Sequence, residues 1–183
     1  MSRKVGFLLA LVVLMVPLIA GCGGDTGTIK IGLQGPMTGD YAYEGQGFEK
    51  AVGMLVEQVN AAGGIDGREV ELLVEDDAGD PTQAALVAQR LVDAKVVAVI
   101  GAYNSTATEP ASEIYNDAGI LHITPSSTAT GLTEKGFERL FRVCFLDDRQ
   151  VLVDAKFAKA IYRVQTFGVF QHNSNSALPI IPL

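Results

Sequence analysis

Two short stretches of this 183-residue chain concentrate hydroxyl groups. Ala102 to Thr108 reads Ala-Tyr-Asn-Ser-Thr-Ala-Thr, and Pro125 to Thr130 reads Pro-Ser-Ser-Thr-Ala-Thr. Each follows an apolar run, and the first leads straight into a helical pattern. Unpaired backbone N–H groups at a helix start, flanked by Ser and Thr hydroxyls, suit a carboxylate or another anion. A third stretch, Gly35 to Gly45, carries Tyr41 and Tyr43, each an apolar face with a polar tip. None of the three contains Lys or Arg. That favours a ligand of small or zero net charge, such as a zwitterion, over a phosphate. Ser and Thr also fill ordinary loops and caps, so loop composition alone leaves both readings open.

Catalytic patterns are weaker. Gly45-Gln46-Gly47 hints at a dinucleotide fingerprint, but Lys50 stands where the third Gly belongs and a long loop separates it from its strand. A pyrophosphate turn needs strand, turn and helix in direct succession. His122 falls within an apolar run and His172 in an irregular tail, neither with a partner suggesting a triad or a zinc site. Asp76-Asp77 could form an acid pair of the phosphoryl-accepting kind; the plain alternative is a solvated strand end. Cys144, in the apolar run Leu140 to Leu146, reads as a small hydrophobe rather than a nucleophile. The sequence therefore implies no enzyme, no cofactor and no metal.

These loops need a scaffold that presents them together. Thr28 to Gln34 reads as a strand. Gln46 to Ala62 reads as a helix with Phe48, Val52, Leu55, Val59 and Ala62 on one face, ended by Gly63-Gly64. Glu69 to Glu75 reads as a strand with Val70, Leu72 and Val74 inward. Asp80-Pro81 opens a second helix, an N-cap carboxylate followed by Pro where no N–H is needed. Val96 to Ile100 is wholly apolar, as in a strand covered on both faces. Ala107 to Ala118 reads as a third helix, with Pro110 in its first turn. Ile120 to Thr124 and Leu140 to Val143 read as strands, Asp147 to Ala160 as a helix, and Thr166 to Phe170 as a further strand. Strict alternation of strand and helix implies an α/β fold: a parallel sheet with helices on both faces. Ligands of such sheets bind beyond the carboxyl ends of the strands, where all three loops fall.

The N-terminus reads as an export signal over residues 1–21. Arg3 and Lys4 precede an apolar run, Val5 to Val16, too short to span a bilayer. Leu18-Ile19-Ala20-Gly21-Cys22 then resembles a lipoprotein processing site, with the Cys22 thiol available for acylation. Residues 22–27 form a Gly-rich tether. The formal charge is −7 with both signal cations counted, leaving −9 on the body. An acidic body without a basic stripe argues against a nucleic-acid partner. With Cys22 acylated, Cys144 has no partner within the chain and cannot staple the fold.

Several stretches together resemble one family. They are Ile29-Lys30-Ile31-Gly32 with Gly35-Pro36-Met37-Thr38-Gly39; Val59-Asn60-Ala61-Ala62-Gly63-Gly64-Ile65; Glu75-Asp76-Asp77 with Asp80-Pro81 and Ala84; Ile100-Gly101 to Ser105 with Pro110-Ala111; and Ile123-Thr124-Pro125-Ser126. In order and spacing, across Ile29 to Phe157, they resemble the leucine/isoleucine/valine-binding proteins, the extracytoplasmic receptors of branched-chain amino-acid ABC importers. The resemblance implies a type I periplasmic-binding-protein clamshell whose two lobes close on an aliphatic amino acid and then engage an ABC transporter permease. Residues 28–144 would be lobe one, and 145–183 the hinge region, the first elements of lobe two and an aberrant tail. The chain would be exported, and anchored to the membrane through lipid on Cys22.

The resemblance also implies roles by position. Ser105 and Thr128 would donate hydroxyl and backbone bonds to the ligand carboxylate. The carbonyl of Ser126 would accept from the ammonium. Tyr43, or Tyr41, would lie over the aliphatic side chain, and Tyr103 and Asn104 would line the same wall. The magnitudes suffice: charge-assisted hydrogen bonds contribute ~1.5–3 kcal/mol each, and a micromolar ligand needs ~8 in total. Some members join the positions of Gly79 and Asn104 by a disulfide, for which this chain has neither Cys. The family continues well beyond this length, its second lobe supplying an acidic partner for the ammonium. Here Ser174 to Leu183 matches nothing, and Pro179 and Pro182 suit neither a central strand nor a helix interior. The expectation is a truncated or frameshifted gene near Ser174, with leucine bound at least ~100-fold more weakly than by a complete homologue, a loss of ~2.7 kcal/mol. Two other readings stay open: a receptor for an amide or urea, and a fragment without function.

Overall fold

The structure, a computed structural model, describes residues 27–162. Five parallel strands form one sheet in the order β2-β1-β3-β4-β5. They are β1 (Ile29–Gly35), β2 (Val70–Asp76), β3 (Ala98–Ile100), β4 (Leu121–Thr124) and β5 (Leu140–Arg142). The connections are α1 (Ala42–Ala61), α2 (Pro81–Asp93), α3 (Ser105–Asp117) and a 3-10 turn at Thr130–Thr133; α4 (Asp147–Tyr162) follows the last strand. The expected α/β class, with parallel strands and helices on both faces, is what forms. From β1 the chain steps outward to β2, then back across β1 to β3. Right-handed crossovers in opposite directions lie on opposite faces, so α1 covers one face while α2 and α3 share the other.

The face under α2 and α3 holds the core. Val87, Ala88 and Leu91 of α2 and Ala111 and Tyr115 of α3 pack with Val96, Val99 and Ile120. Each fully buried aliphatic side chain there contributes about 1.5–3 kcal/mol. Gly32 of β1 lets α2 settle onto the sheet: a Cβ at that position would stand 2.9 Å from Leu91 Cδ1. Asp80 caps α2 as expected, its Oδ1 accepting from Thr82 N (2.8 Å) and Gln83 N (2.9 Å), with Pro81 next.

The opposite face is covered unevenly. The register aligns Val74, Leu33, Ile100, Ile123 and Phe141 in one cross-strand row. Leu33 is fully buried beside α1, whereas Val74 at one end is 36% exposed and Phe141 at the other 52%. Val74 therefore does not point into a closed core. Val96 to Ile100 is likewise not covered on both faces: Val99 is buried against α2 and α3, whereas Ala98 and Ile100, on the opposite face of β3, are only half-buried, because α1 packs mainly on β1 and β2.

Helix limits also differ from the sequence reading. α1 begins at Ala42 rather than Gln46, and its N-cap, Tyr41, makes no side-chain cap bond. Val52, Val56 and Val59 turn toward the sheet, while Leu55 and Ala62 are exposed. α3 begins at Ser105, two residues early, which moves Pro110 from the first turn into the helix body. Thr166 to Phe170, His172 and the tail lie outside the described residues.

Candidate functional site

The loops after β1, β3 and β4 meet at the carboxyl edge of the sheet. The strand order reverses between β1 and β3, the place where open parallel sheets leave a crevice for ligands. Aromatic side chains from both flanking loops fill it. The Tyr103 ring packs on Tyr41 at 5.3 Å between centroids and on Phe48 at 6.0 Å. Above them lies an open cleft of about 530 Å³ lined by Tyr43, Glu44, Phe48, Lys50, Tyr103 and Ser126. Burial, then the nearby Glu44 carboxylate and Tyr41, push the Tyr103 hydroxyl above its ordinary value, so it remains a neutral donor.

A web of hydroxyls holds the β4 loop against the β3 loop. Thr124 Oγ1 donates to Ala102 O at 3.1 Å, and Ser126 Oγ to Tyr103 O at 2.6 Å. Buried Ser127 pairs its Oγ with Thr108 Oγ1 at 2.7 Å. Ala129 N donates to Ser105 Oγ at 3.1 Å, which leaves the Ser105 proton available to a ligand. Ser105 opens α3, and the first backbone bond of that helix runs from Thr108 N to Asn104 O. The preceding N–H groups of the first turn therefore face the loop without an intrahelical acceptor. Ser105 also borders a smaller cavity of about 170 Å³ with Thr106, Glu109, Ala129 and Lys135. Lys135 is already held by Glu109 (3.1 Å) and Glu113 (2.8 Å). The Glu113 hydrogen bond heads the causes that raise its pKa.

The six candidate residues thus divide. Tyr43, Tyr103 and Ser126 share the larger cleft, with Tyr43 at 88% exposure and Tyr41 turned onto Tyr103. Ser105 stands at the smaller cavity, joined to the others through Ala129. Thr128 is half-buried, and its carbonyl accepts from Asp147 N at 3.0 Å at the start of α4. Asn104 turns away: its Nδ2 donates to Gly79 O and to Thr106 Oγ1, both at 2.9 Å. A side-chain hydrogen bond therefore joins the positions where some relatives are expected to carry a disulfide.

Three residues went unremarked in the sequence. Arg142 of β5 donates to Ala129 O (2.7 Å), Ser127 O (3.2 Å) and Thr133 Oγ1 (2.6 Å), so a guanidinium fixes the β4 loop from behind. Ser127 supplies the buried hydroxyl of that loop. Glu44 is half-buried in the cleft, and no ion pair involves it among the described residues. Apolar context hid Arg142, and an assumed loop hid Glu44, which lies in the first turn of α1.

The acid pair has a structural part. Asp76 accepts from Met37 N (2.8 Å), Thr38 N (3.3 Å) and Thr38 Oγ1 (2.6 Å), organising the β1 loop. Asp77 is fully buried, not a solvated strand end, because Gln34 Nε2 (3.1 Å) and Gly79 N (2.9 Å) satisfy its oxygens. Desolvation raises its pKa. His122 is buried as a packed side chain, its Nε2 2.6 Å from Gly101 O and its ring edge-on to Tyr115. Cys144 is half-buried with its Sγ 3.4 Å from Ser127 O, and desolvation raises its thiol pKa.

A family model described as Periplasmic binding protein matches residues 28–180. The chain belongs to that family. This periplasmic binding protein is 43% identical over 142 residues to the leucine-, isoleucine-, valine-, threonine- and alanine-binding protein of Pseudomonas aeruginosa strain PAO1, covering 78% of this chain and 38% of that one. Among solved structures it is similar to the branched-chain amino acid transporter substrate binding protein LivJ from Streptococcus pneumoniae in complex with isoleucine. There the TM-score is 0.71 at 36% identity, over 74% of this chain and 39% of that one. It is also similar to the leucine binding protein LivK of Thermotoga maritima, with a TM-score of 0.69 at 29% identity over 75% and 39% of the two chains. The chain spans about two-fifths of the length of these relatives. The expected type I periplasmic-binding-protein fold is thereby established for this chain.

Proposed function

We propose that this periplasmic binding protein is the extracytoplasmic substrate-binding component of an ABC importer for aliphatic amino acids, leucine, isoleucine and valine first. In this reading residues 28–144 are the ligand-receiving lobe, and the chain from residue 145 leads toward the hinge. The observation that carries the reading is the joined β3–β4 edge. Ser105, at an open helix N-terminus, is held by the backbone of the loop that contains Ser126 and Thr128, and Tyr103 stands beside it as an apolar wall. In this reading the carboxylate takes the Ser105 and Thr128 hydroxyls with the first-turn N–H groups of α3. The ammonium takes the Ser126 carbonyl, and the aliphatic side chain lies on the Tyr103–Phe48 surface under Tyr43. Asn104 supports the wall from behind through Gly79 rather than touching the ligand. Export and lipidation at Cys22, which tether the receptor beside its permease, are part of the same proposal.

The test is a calorimetric titration of the chain from Gly23 with leucine and with urea, repeated on Ser105→Ala. Removing one hydrogen bond to a charged group lowers affinity by roughly tenfold to a hundredfold. Leucine binding weakened to that extent, with no binding of urea, supports the assignment. Urea binding, or leucine binding indifferent to Ser105→Ala, overturns it.

A further inference from the structure

Glu44 stands in the cleft under conditions that ask for a cationic partner. It shares the cleft with Ser126, Tyr103, Phe48 and Tyr43. It is half-buried, and among the described residues no ion pair or hydrogen bond to its side chain accompanies it. Lys50 borders the same cleft, but it is exposed and forms no ion pair with Glu44. A carboxylate with no cation beside it stays available to a cationic group that enters the cleft, and a charge-assisted hydrogen bond there is stronger than a neutral one. The aromatic rings beside it reinforce that preference, since their faces attract cations.

The backbone at Glu44 is also fixed in advance. Gly45, next in sequence, is the one buried residue of α1, and a Cβ there would overlap the Pro36 carbonyl. The helix start is therefore pressed onto the β1 loop. Gln46 Nε2 adds a bond to Met37 O at 3.1 Å, and that loop is in turn held by Asp76. The backbone that carries the carboxylate is therefore already ordered before a ligand arrives, so binding orders the Glu44 side chain alone.

We infer that Glu44, across the β1–β3 crevice from Ser126, is this lobe's own acidic partner for the ligand ammonium, so that lobe one by itself selects amino acids over acids lacking the amine. The inference rests on the amino-acid reading above. It changes one expectation drawn from the family resemblance: a counter-charge for the ammonium need not wait for a second lobe.

The test separates the two ends of the ligand. Wild type and Glu44→Gln are titrated with leucine, with leucinamide, which keeps the ammonium and loses the carboxylate, and with 4-methyl-2-oxopentanoate, which keeps the carboxylate and loses the amine. Glu44→Gln should weaken leucine and leucinamide by about tenfold or more and leave the oxo acid within about twofold. Urea unfolding of both proteins accompanies the titrations, because an acid in the first turn also favours the helix dipole. A variant less stable yet with leucine affinity intact means that Glu44 serves the helix alone, which overturns the inference. Equal losses for leucine and the oxo acid overturn it as well, while leaving the amino-acid reading in place. A wild type that binds neither leucine nor leucinamide overturns both.

Discussion

His122 should make this fold acid-sensitive between pH 7 and pH 5. Burial lowers its pKa from 6.5 to about 4. Its Nε2 meets Gly101 O, and its Nδ1 has no partner to receive a second proton's charge. The folded state therefore holds the ring neutral, while the unfolded chain binds a proton near pH 6.5. For a base depressed in this way, the stability contribution is complete above pH 6.5 and is lost as pH falls toward 4. Two-state linkage with those values gives a loss of about 2 kcal/mol between pH 7 and pH 5. Asp77 works in the opposite sense. Its raised pKa makes its contribution greatest at low pH and smaller as pH rises above the usual carboxylate value of 3.8. Asp76, with a lowered pKa, acts below the usual carboxylate value of 3.8 and outside this window. Subtraction isolates the histidine: urea unfolding followed by circular dichroism at pH 5, 6, 7 and 8, for wild type and His122→Gln. The wild type should lose about 2 kcal/mol relative to the variant on going from pH 7 to pH 5. A stability difference between the two proteins that does not change with pH would refute the argument.

Gly45→Ala should destabilise the chain by about 1–3 kcal/mol, the usual cost of overpacking, because the obstructing atom is the Pro36 backbone carbonyl rather than a flexible side chain; a denaturant midpoint within error of wild type would contradict the pinned start of α1. Cys22→Ala, expressed from the full sequence in a bacterium, should shift the protein from the membrane to the soluble extracytoplasmic fraction, and unchanged membrane association would remove the lipid anchor from the account. The Ser105→Ala and Glu44→Gln titrations complete the set, one reading the carboxylate end of the ligand and the other the ammonium end.

The fold was legible where local chemistry and tertiary need agreed. Asp80-Pro81 marks the start of α2 because capping is a short-range event, and strand–helix alternation forces a parallel sheet. The start of α1 carried no such mark: Tyr41 caps without a side-chain bond, so Gly45-Gln46-Gly47 reads as loop until Gly45 is seen against Pro36. Leu55 and Val56 compete for one helical face, and only the position of β2 decides for Val56. The candidate site was legible as three loops, since strand ends bring them together. Its supports were not. Arg142 reaches the loop from β5, Asp77 becomes buried only through Gln34, and Asn104 finds Gly79, all contacts between segments far apart in sequence.

The most direct test of the central claim is a 15N-labelled NMR titration of residues 23–183 with leucine, which registers weak as well as tight binding. The account predicts saturable shifts concentrated on the amides of Tyr103, Ser105, Thr106, Ser126 and Thr128, with the α2–α3 core silent. No shifts at millimolar leucine, or shifts centred away from the carboxyl edge of the sheet, would contradict it.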